Sequence, residues 1–297
     1  MRRGLLLCGI LCAAAAHADP LVQQMMERLS EEASVFARSA PDVIGQETLH
    51  QRALKPPRRF HLRAGQAALE PPKPEWQTRE IVSEYGFSAF SDAPGVLHEF
   101  RRVVSVDGRK IEENGKALDA LAKSVSSNDD NQKRRQLKQF EKYGLLGAAT
   151  DFGQLILMFS RSQLDKFEFN AEGQRLIGAE RTRVFSYKQL DGQQHLTVFA
   201  EGKALHERLQ GEIWVRASDA LPLRITLVSV RGEGARGVRD EAQVDYAMSR
   251  YGFELPVSVV HREFQASGLV AENRFEYVNF RRFGADAEIK FDPAPVK

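Results

Sequence analysis

Cysteine is nearly absent. The 297-residue chain has two, Cys8 and Cys12, and both fall within the first eighteen residues. Beyond them there is no thiol, which excludes a disulfide framework, a thiol nucleophile and a cysteine-ligated metal in the body of the chain. Long hydrophobic runs are missing too. After residue 18 no stretch approaches the 18 or so apolar residues that mark a spanning helix. Neither sign of charge dominates, with 42 Lys+Arg against 40 Asp+Glu. Hydrophobic residues make up 42% and charged residues 28%, which excludes a disordered, collagen-like or low-complexity chain and fits a globular one.

Signatures of catalysis are equally scarce. Gly232-Glu-Gly234-Ala-Arg-Gly237 matches G-x-G-x-x-G, but a dinucleotide loop opens a helix, and Val238 to Met248 alternates as a strand, so the run reads as a hairpin loop. The histidines His50, His61, His98, His195, His206 and His261 form neither HExxH nor His-x-His, and are expected to be exposed or singly hydrogen-bonded. Ser88, in Gly86-Phe-Ser-Ala-Phe90, lacks the second glycine of a nucleophile elbow. The acid pairs Glu112-Glu113 and Asp129-Asp130 fall in turns or on helix surfaces. The expectation is a protein that is not an enzyme and has no metal and no cofactor.

What is present begins with a leader. Arg2-Arg3, an apolar stretch from Leu5 to Ala16, and Ala16-His17-Ala18 ahead of Asp19-Pro20 have the layout of a secretory signal cleaved after Ala18. A lipid-modified cysteine would follow a small residue, whereas Leu7 and Leu11 precede the two cysteines. Taking Arg2 and Arg3 from 42 basic residues leaves 40 against 40 acidic ones, so no basic excess remains to suit nucleic acid. The implied location is periplasmic or secreted, with no transmembrane segment after cleavage.

The organisation expected is a signal over 1–18 and one domain over 19–297. Asp19 caps a helix over 20–39, with Pro20 in its first turn and Leu21, Val22, Met25, Met26, Leu29, Ala33 and Phe36 along one stripe. Residues 43–54 read as a strand of poor alternation. The stretch 55–76, holding Pro56, Pro57, Pro71, Pro72 and Pro74, reads as an insertion. Strands follow over 79–90 and 96–106, then two charged helices over 115–143, the second carrying Lys133-Arg134-Arg135 with Lys138 and Lys142 on a solvated face. Residues 152–159, Phe-Gly-Gln-Leu-Ile-Leu-Met-Phe, show no alternation, which points to a fully buried short helix or central strand. Strands are then expected over 164–171, 175–189, 194–200, 210–217, 221–231, 238–248, 254–265, 269–280 and 286–291, with a turn at Ala171-Glu172-Gly173. Short connections favour antiparallel pairing in sequence order. Helices early and strands late make the class α+β.

Gly211-Glu-Ile-Trp-Val-Arg216 followed by Leu221-Pro-Leu-Arg-Ile225 resembles a strand pair of the bacterial outer-membrane lipoprotein-sorting family, and the likeness extends over 164–291. The resemblance implies a curved antiparallel sheet, an open half-barrel, with helices from the N-terminal half packed on its concave face. It also implies lipid or lipoprotein acyl chains as partners. No residue here matches the family's functional arginine, so no binding residue is carried over. The candidate apolar concavity is assembled instead from Phe152, Leu155, Leu157, Met158 and Phe159 against Leu223, Ile225, Leu227, Val244 and Tyr246. The rival reading is a structural or protein-interaction module whose concavity is plugged by 152–159 and the first helix.

Overall fold

The structure is a computed structural model; it describes residues 19–55, 74–145, 152–190, 197–200, 203–206, 208–231, 237–266 and 268–282. The leader, residues 286–291 and the loop over 232–236 lie outside them.

The first helix, α1 (Pro20–Ser39), starts where the side chain of Asp19 accepts the N–H of Leu21 at 2.9 Å and ends just before Pro41. Its stripe of Val22, Met25, Leu29, Ala33 and Phe36 is buried. The strands β1 (Val43–Lys55), β2 (Glu75–Phe90), β3 (Ala93–Val106) and β4 (Arg109–Lys110) follow, then α2 (Asn114–Val125) and α3 (Asp130–Glu141). Residues 155–159 form a 3-10 turn. The rest is β5 (Phe167–Ile177), β6 (Glu180–Gln189), β7 (Thr197–Ala200), β8 (Lys203–His206), β9 (Arg208–Arg216), β10 (Pro222–Arg231), β11 (Val238–Met248), β12 (Glu254–Gln265) and β13 (Gly268–Arg282).

Eleven strands make one open antiparallel sheet in the order β4-β3-β2-β1-β13-β12-β11-β10-β9-β6-β5. Three sequence expectations need correction. Ala171-Glu172-Gly173 is a bulge inside β5, and the chain turns seven residues later, where Gly178 adopts φ +59°. The strand expected over 194–200 leaves the main sheet: β7 and β8 pair only with each other, and β6 pairs across to β9. The insertion is shorter than 55–76, because Lys55 ends β1 and Glu75 and Trp76 open β2.

One core cluster takes side chains from every strand of the sheet except β4, together with α1 and the 3-10 turn. Its geometry requires curvature. Eight strand spacings separate β2 from β5, about 38 Å on a flat sheet. Yet Gly153 sits against the Tyr85 hydroxyl of β2, while Phe159 meets Phe167 of β5 with ring centroids 5.4 Å apart. The seven residues 153–159, mostly in 3-10 spiral, span only about 15 Å. The sheet therefore curls around them as a half-barrel.

Not all the helices line that inner face. On β2, Tyr85 and Phe87 point to the core that α1 caps, whereas Phe90 joins a second cluster with Ile44, Phe100, Leu121 and Val125. The Ser88 hydroxyl donates to the Val125 carbonyl at 2.7 Å. Alternation along the strand thus places α2 on the outer face. The third helix lies along β3, with Gln136 Nε2 donating to the Arg101 carbonyl and Lys133 Nζ to the Ala89 carbonyl. Lys133 is accordingly buried rather than solvated. No helix among the described residues is long and apolar enough to cross a membrane.

Candidate functional site

The inner face of the half-barrel is concave, and 152–159 lies in it. Leu155, Ile156 and Phe159 are buried; Phe152, Leu157 and Met158 are half-buried against the same core. On the sheet side Ile225, Leu227, Val244 and Tyr246 are buried in that core. The candidate set therefore converges, with one correction. Leu223 sits at the bulge between Pro222 and Arg224, is only half-buried, and does not join the cluster.

Polar bonds fix where the segment begins. The Gly153 N–H donates to Glu99 Oε1 at 2.7 Å, Gln154 Nε2 to the Leu97 carbonyl at 2.8 Å, and the Ile156 N–H to the Tyr246 hydroxyl at 3.1 Å. Phe152 stacks on His261, with centroids 4.7 Å apart. Any side chain at 153 would force its neighbours to shift, since a Cβ there would stand 2.6 Å from Glu99 Oε1 and 2.7 Å from the Tyr85 hydroxyl.

Behind this latch lies a buried ion cluster. Arg101 donates through Nε and Nη2 to Glu47, each at 2.7 Å, and through Nη2 to Glu99 at 2.7 Å, and all three side chains are at most 1% exposed. Burial alone would lower the guanidinium pKa, but the two carboxylates outweigh it and hold Arg101 well above its ordinary value. Tyr85 donates to Glu99 at 2.9 Å, and burial pushes Tyr85, Tyr246 and Tyr277 well above the usual phenol range, so they act as neutral hydrogen-bonding groups.

A second polar chain crosses the same face. Leu145 N–H donates to Gln51, Gln51 to Asn273, Asn273 Nδ2 to His261 Nδ1, and His261 Nε2 meets Asp240 at 3.0 Å. Each partner's chemistry fixes the next, so the imidazole carries its proton on Nε2. Burial raises the Asp240 pKa, but His261 and Arg231 more than offset it and the group stays lowered. His261 was expected exposed or singly bonded; it is buried and bonded at both nitrogens.

Under α1, Glu254 is 1% exposed, and neither of its carboxylate oxygens has a hydrogen-bond partner among the described residues. Burial, reinforced by Glu32, pushes it up to about 9, so it is a neutral acid at pH 7. Glu32 is raised as well, chiefly by burial, although Arg28 lies 2.6 Å away.

Sequence reasoning missed these polar groups. The available signal was placement: Glu99 and Arg101 alternate with Phe100 on the same side of β3 as Leu97 and Val103, inward in a strand whose inward face is otherwise apolar. No set of three or more His, Cys, Asp or Glu among the described residues is arranged to hold a metal.

Beside α1, a cleft of about 430 Å³ is lined by Val22, Met26, Leu164, Glu27, Glu31 and Arg161, among others. Val22 and Leu164 belong to the core itself, so the floor of the cleft is continuous with the buried inner face.

Fold and site together define an α+β protein with an open antiparallel half-barrel closed over by one helix and one short segment. No family model matches the chain, and none of the curated proteins matches it in sequence. It is similar to a DUF1329 family protein from Desulfovibrio piger, at 11% identity over 90% of this chain and 95% of that one, TM-score 0.36. It is also similar to an outer membrane lipoprotein-sorting protein domain from Vibrio parahaemolyticus, at 8% identity over 90% and 97%, TM-score 0.34. A LolA superfamily protein from Nitrosomonas europaea matches at 11% identity over 86% and 93%, TM-score 0.27.

Proposed function

We propose that the protein is a non-enzymatic binding protein for an apolar ligand, a lipid or the acyl part of a lipidated protein, acting in the periplasm or outside the cell once its signal is removed. The observation that carries this reading is the cleft beside α1, whose apolar wall of Val22, Met26 and Leu164 runs into the core. A ligand entering there would displace the 152–159 segment, exchanging its contacts with Ile225, Leu227, Val244 and Tyr246 for its own. The segment is held at its start by the bonds of Gly153 and Gln154, so it can act as a lid hinged there, opening by release of the Ile156 N–H from the Tyr246 hydroxyl. A second reading, a self-plugged interaction module with no small ligand, is favoured by the complete burial of Ile156 and Phe159.

Uptake of a fluorescent fatty acid by delipidated protein separates the two, together with native mass spectrometry of protein purified from its source envelope. Co-purifying lipid and saturable uptake support the binding reading. A clean unliganded mass with no uptake overturns it in favour of the plug. Gly153→Ala sharpens the test. Its Cβ meets Glu99 and Tyr85, so the latch loosens at about 1–3 kcal/mol, and probe uptake should rise in a lidded protein and stay absent in a plugged one.

A further inference from the structure

The two edges of the sheet are finished differently. On the β4-β3 side, α3 lies along β3 and takes up the Arg101 carbonyl of β3 and the Ala89 carbonyl near the end of β2. On the other side β5 is, among the described residues, the last strand, eleven residues long and bonded only to β6. From Glu168 to Leu176 every residue except Phe169 is exposed, Leu176 by 63%. Its outward backbone donors and acceptors make a template for another strand.

The sequence of β5 says which strand fits. Before the bulge, Phe167 and Phe169 face the core and Glu168 and Asn170 face outward. The extra residue reverses the parity. Beyond it Arg175 faces outward, beside Glu212 at 3.1 Å and over the Trp214 ring, while Gln174 and Leu176 take the inner side. In an antiparallel ladder opposed residues share a face. For a regular strand, pairing an even with an odd position of its own copy breaks that rule. The bulge removes the conflict. A two-fold axis through the bulge sets Glu168 opposite Arg175 of a second copy, Phe167 opposite Leu176, Phe169 opposite Gln174 and Asn170 opposite Gly173, with faces matched throughout. Symmetry makes the Glu168–Arg175 pair twice. Among the described residues Glu168 makes no ion pair within 4 Å, with Lys188 of β6 opposite it on one side; Arg175 of a second copy would flank it on the other.

We propose that β5 pairs antiparallel with β5 of a second copy in this register, joining two half-barrels into one continuous sheet. The strand and its charges specify that partner; another extended peptide would satisfy the backbone but not both charge pairs.

Sedimentation velocity on the purified chain, over a concentration series, reads the association directly. A dimer is expected. Glu168→Lys and Arg175→Glu each place like charges across the interface twice, and each should weaken self-association at least tenfold. Mixing the two variants restores both opposite-charge pairs and should give a heterodimer, which loss of fold in either could not produce. Arg175→Glu also faces Glu212, so an independent measure is needed if it fails to fold. Nitroxides on Asn170→Cys, three ladder positions from the equivalent residue of the second copy, should have backbone sites about 10 Å apart. A monomer at every concentration, a dimer indifferent to both reversals, a mixture that stays monomeric, or nitroxides far apart in a dimer would each overturn the pairing.

Discussion

The two ends of the half-barrel obey different rules. Around β9, β10 and β11 only the inner face is covered, and burial alternates: Ile225 and Leu227 inside, Arg224, Thr226 and Val228 toward solvent. The outer charges pair at the surface, as Arg224 does with Asp245. Around β1, β2 and β3 both faces are covered, by α1 and the 152–159 segment within and by α2 without. Burial there is continuous, from Ser83 to Ser88 in β2. A strand covered on both sides has nowhere to put polar groups in water, so each needs a partner. Glu84 finds Arg281 at 3.0 Å, Ser88 finds the Val125 carbonyl, and Glu47 and Glu99 share Arg101. Polar changes should therefore be severe at the doubly covered end and mild at the other.

The largest effect is expected at Arg101. Arg101→Met leaves Glu47 and Glu99 buried without their counter-ion and should cost about 3–5 kcal/mol in urea unfolding; a loss under about 1 kcal/mol would show that the cluster does not hold the latch. Next comes Ile156, fully buried where the two ends meet. Ile156→Ala should cost about 2–5 kcal/mol if the segment is core, and under about 1 kcal/mol if it is a weakly held lid. Leu157 is half-buried, so it is the poorer probe.

Glu254 gives a pH test. Its folded pKa of about 9 lies above the unfolded value near 4.5, so the folded state binds the extra proton between them. That contribution is complete below about pH 4.5 and is lost as pH rises toward 9, at no more than about 1.4 kcal/mol per pH unit. Glu254→Gln should flatten that decline, and an unchanged slope in unfolding measured from pH 5 to 9 would remove Glu254 as its source. The smallest effect belongs to the wet face. Arg224→Ala breaks a part-exposed pair and should cost about 0.2–1 kcal/mol; a larger loss would mean that the outer face is covered in solution.

The same contrast explains what could be read from sequence. The strands over 221–231, 238–248 and 254–265 were legible almost to the residue, because one wet face imposes a period of two. The strand over 43–54 was placed correctly but looked irregular, because two of its buried inward positions, Glu47 and Gln51, are polar. The Ala171–Gly173 signal is the same for a turn and for a bulge, and pairing to β6 decided between them. The departure of β7 and β8 from the sheet left no mark in composition. Of the candidate site, the apolar partners were visible in the pattern. Glu99, His261 and Glu254 were not, because their role comes from neighbours far away in sequence.

One feature of the topology bears on how the molecule is made. The first strand among the described residues, β1, is an interior strand whose second neighbour is the last of them, β13, and their side chains meet in the Gln51–Asn273 bond across 222 positions. A ribosome adding about 5–20 residues per second needs on the order of 10–40 s to deliver that partner. Until then β1, β2 and β3 can fold only as a meander with one raw edge, and the sheet cannot be completed from its N-terminal side alone. The joining of the two chain ends is a closure step of very long sequence separation, and it should come late and limit the rate of folding.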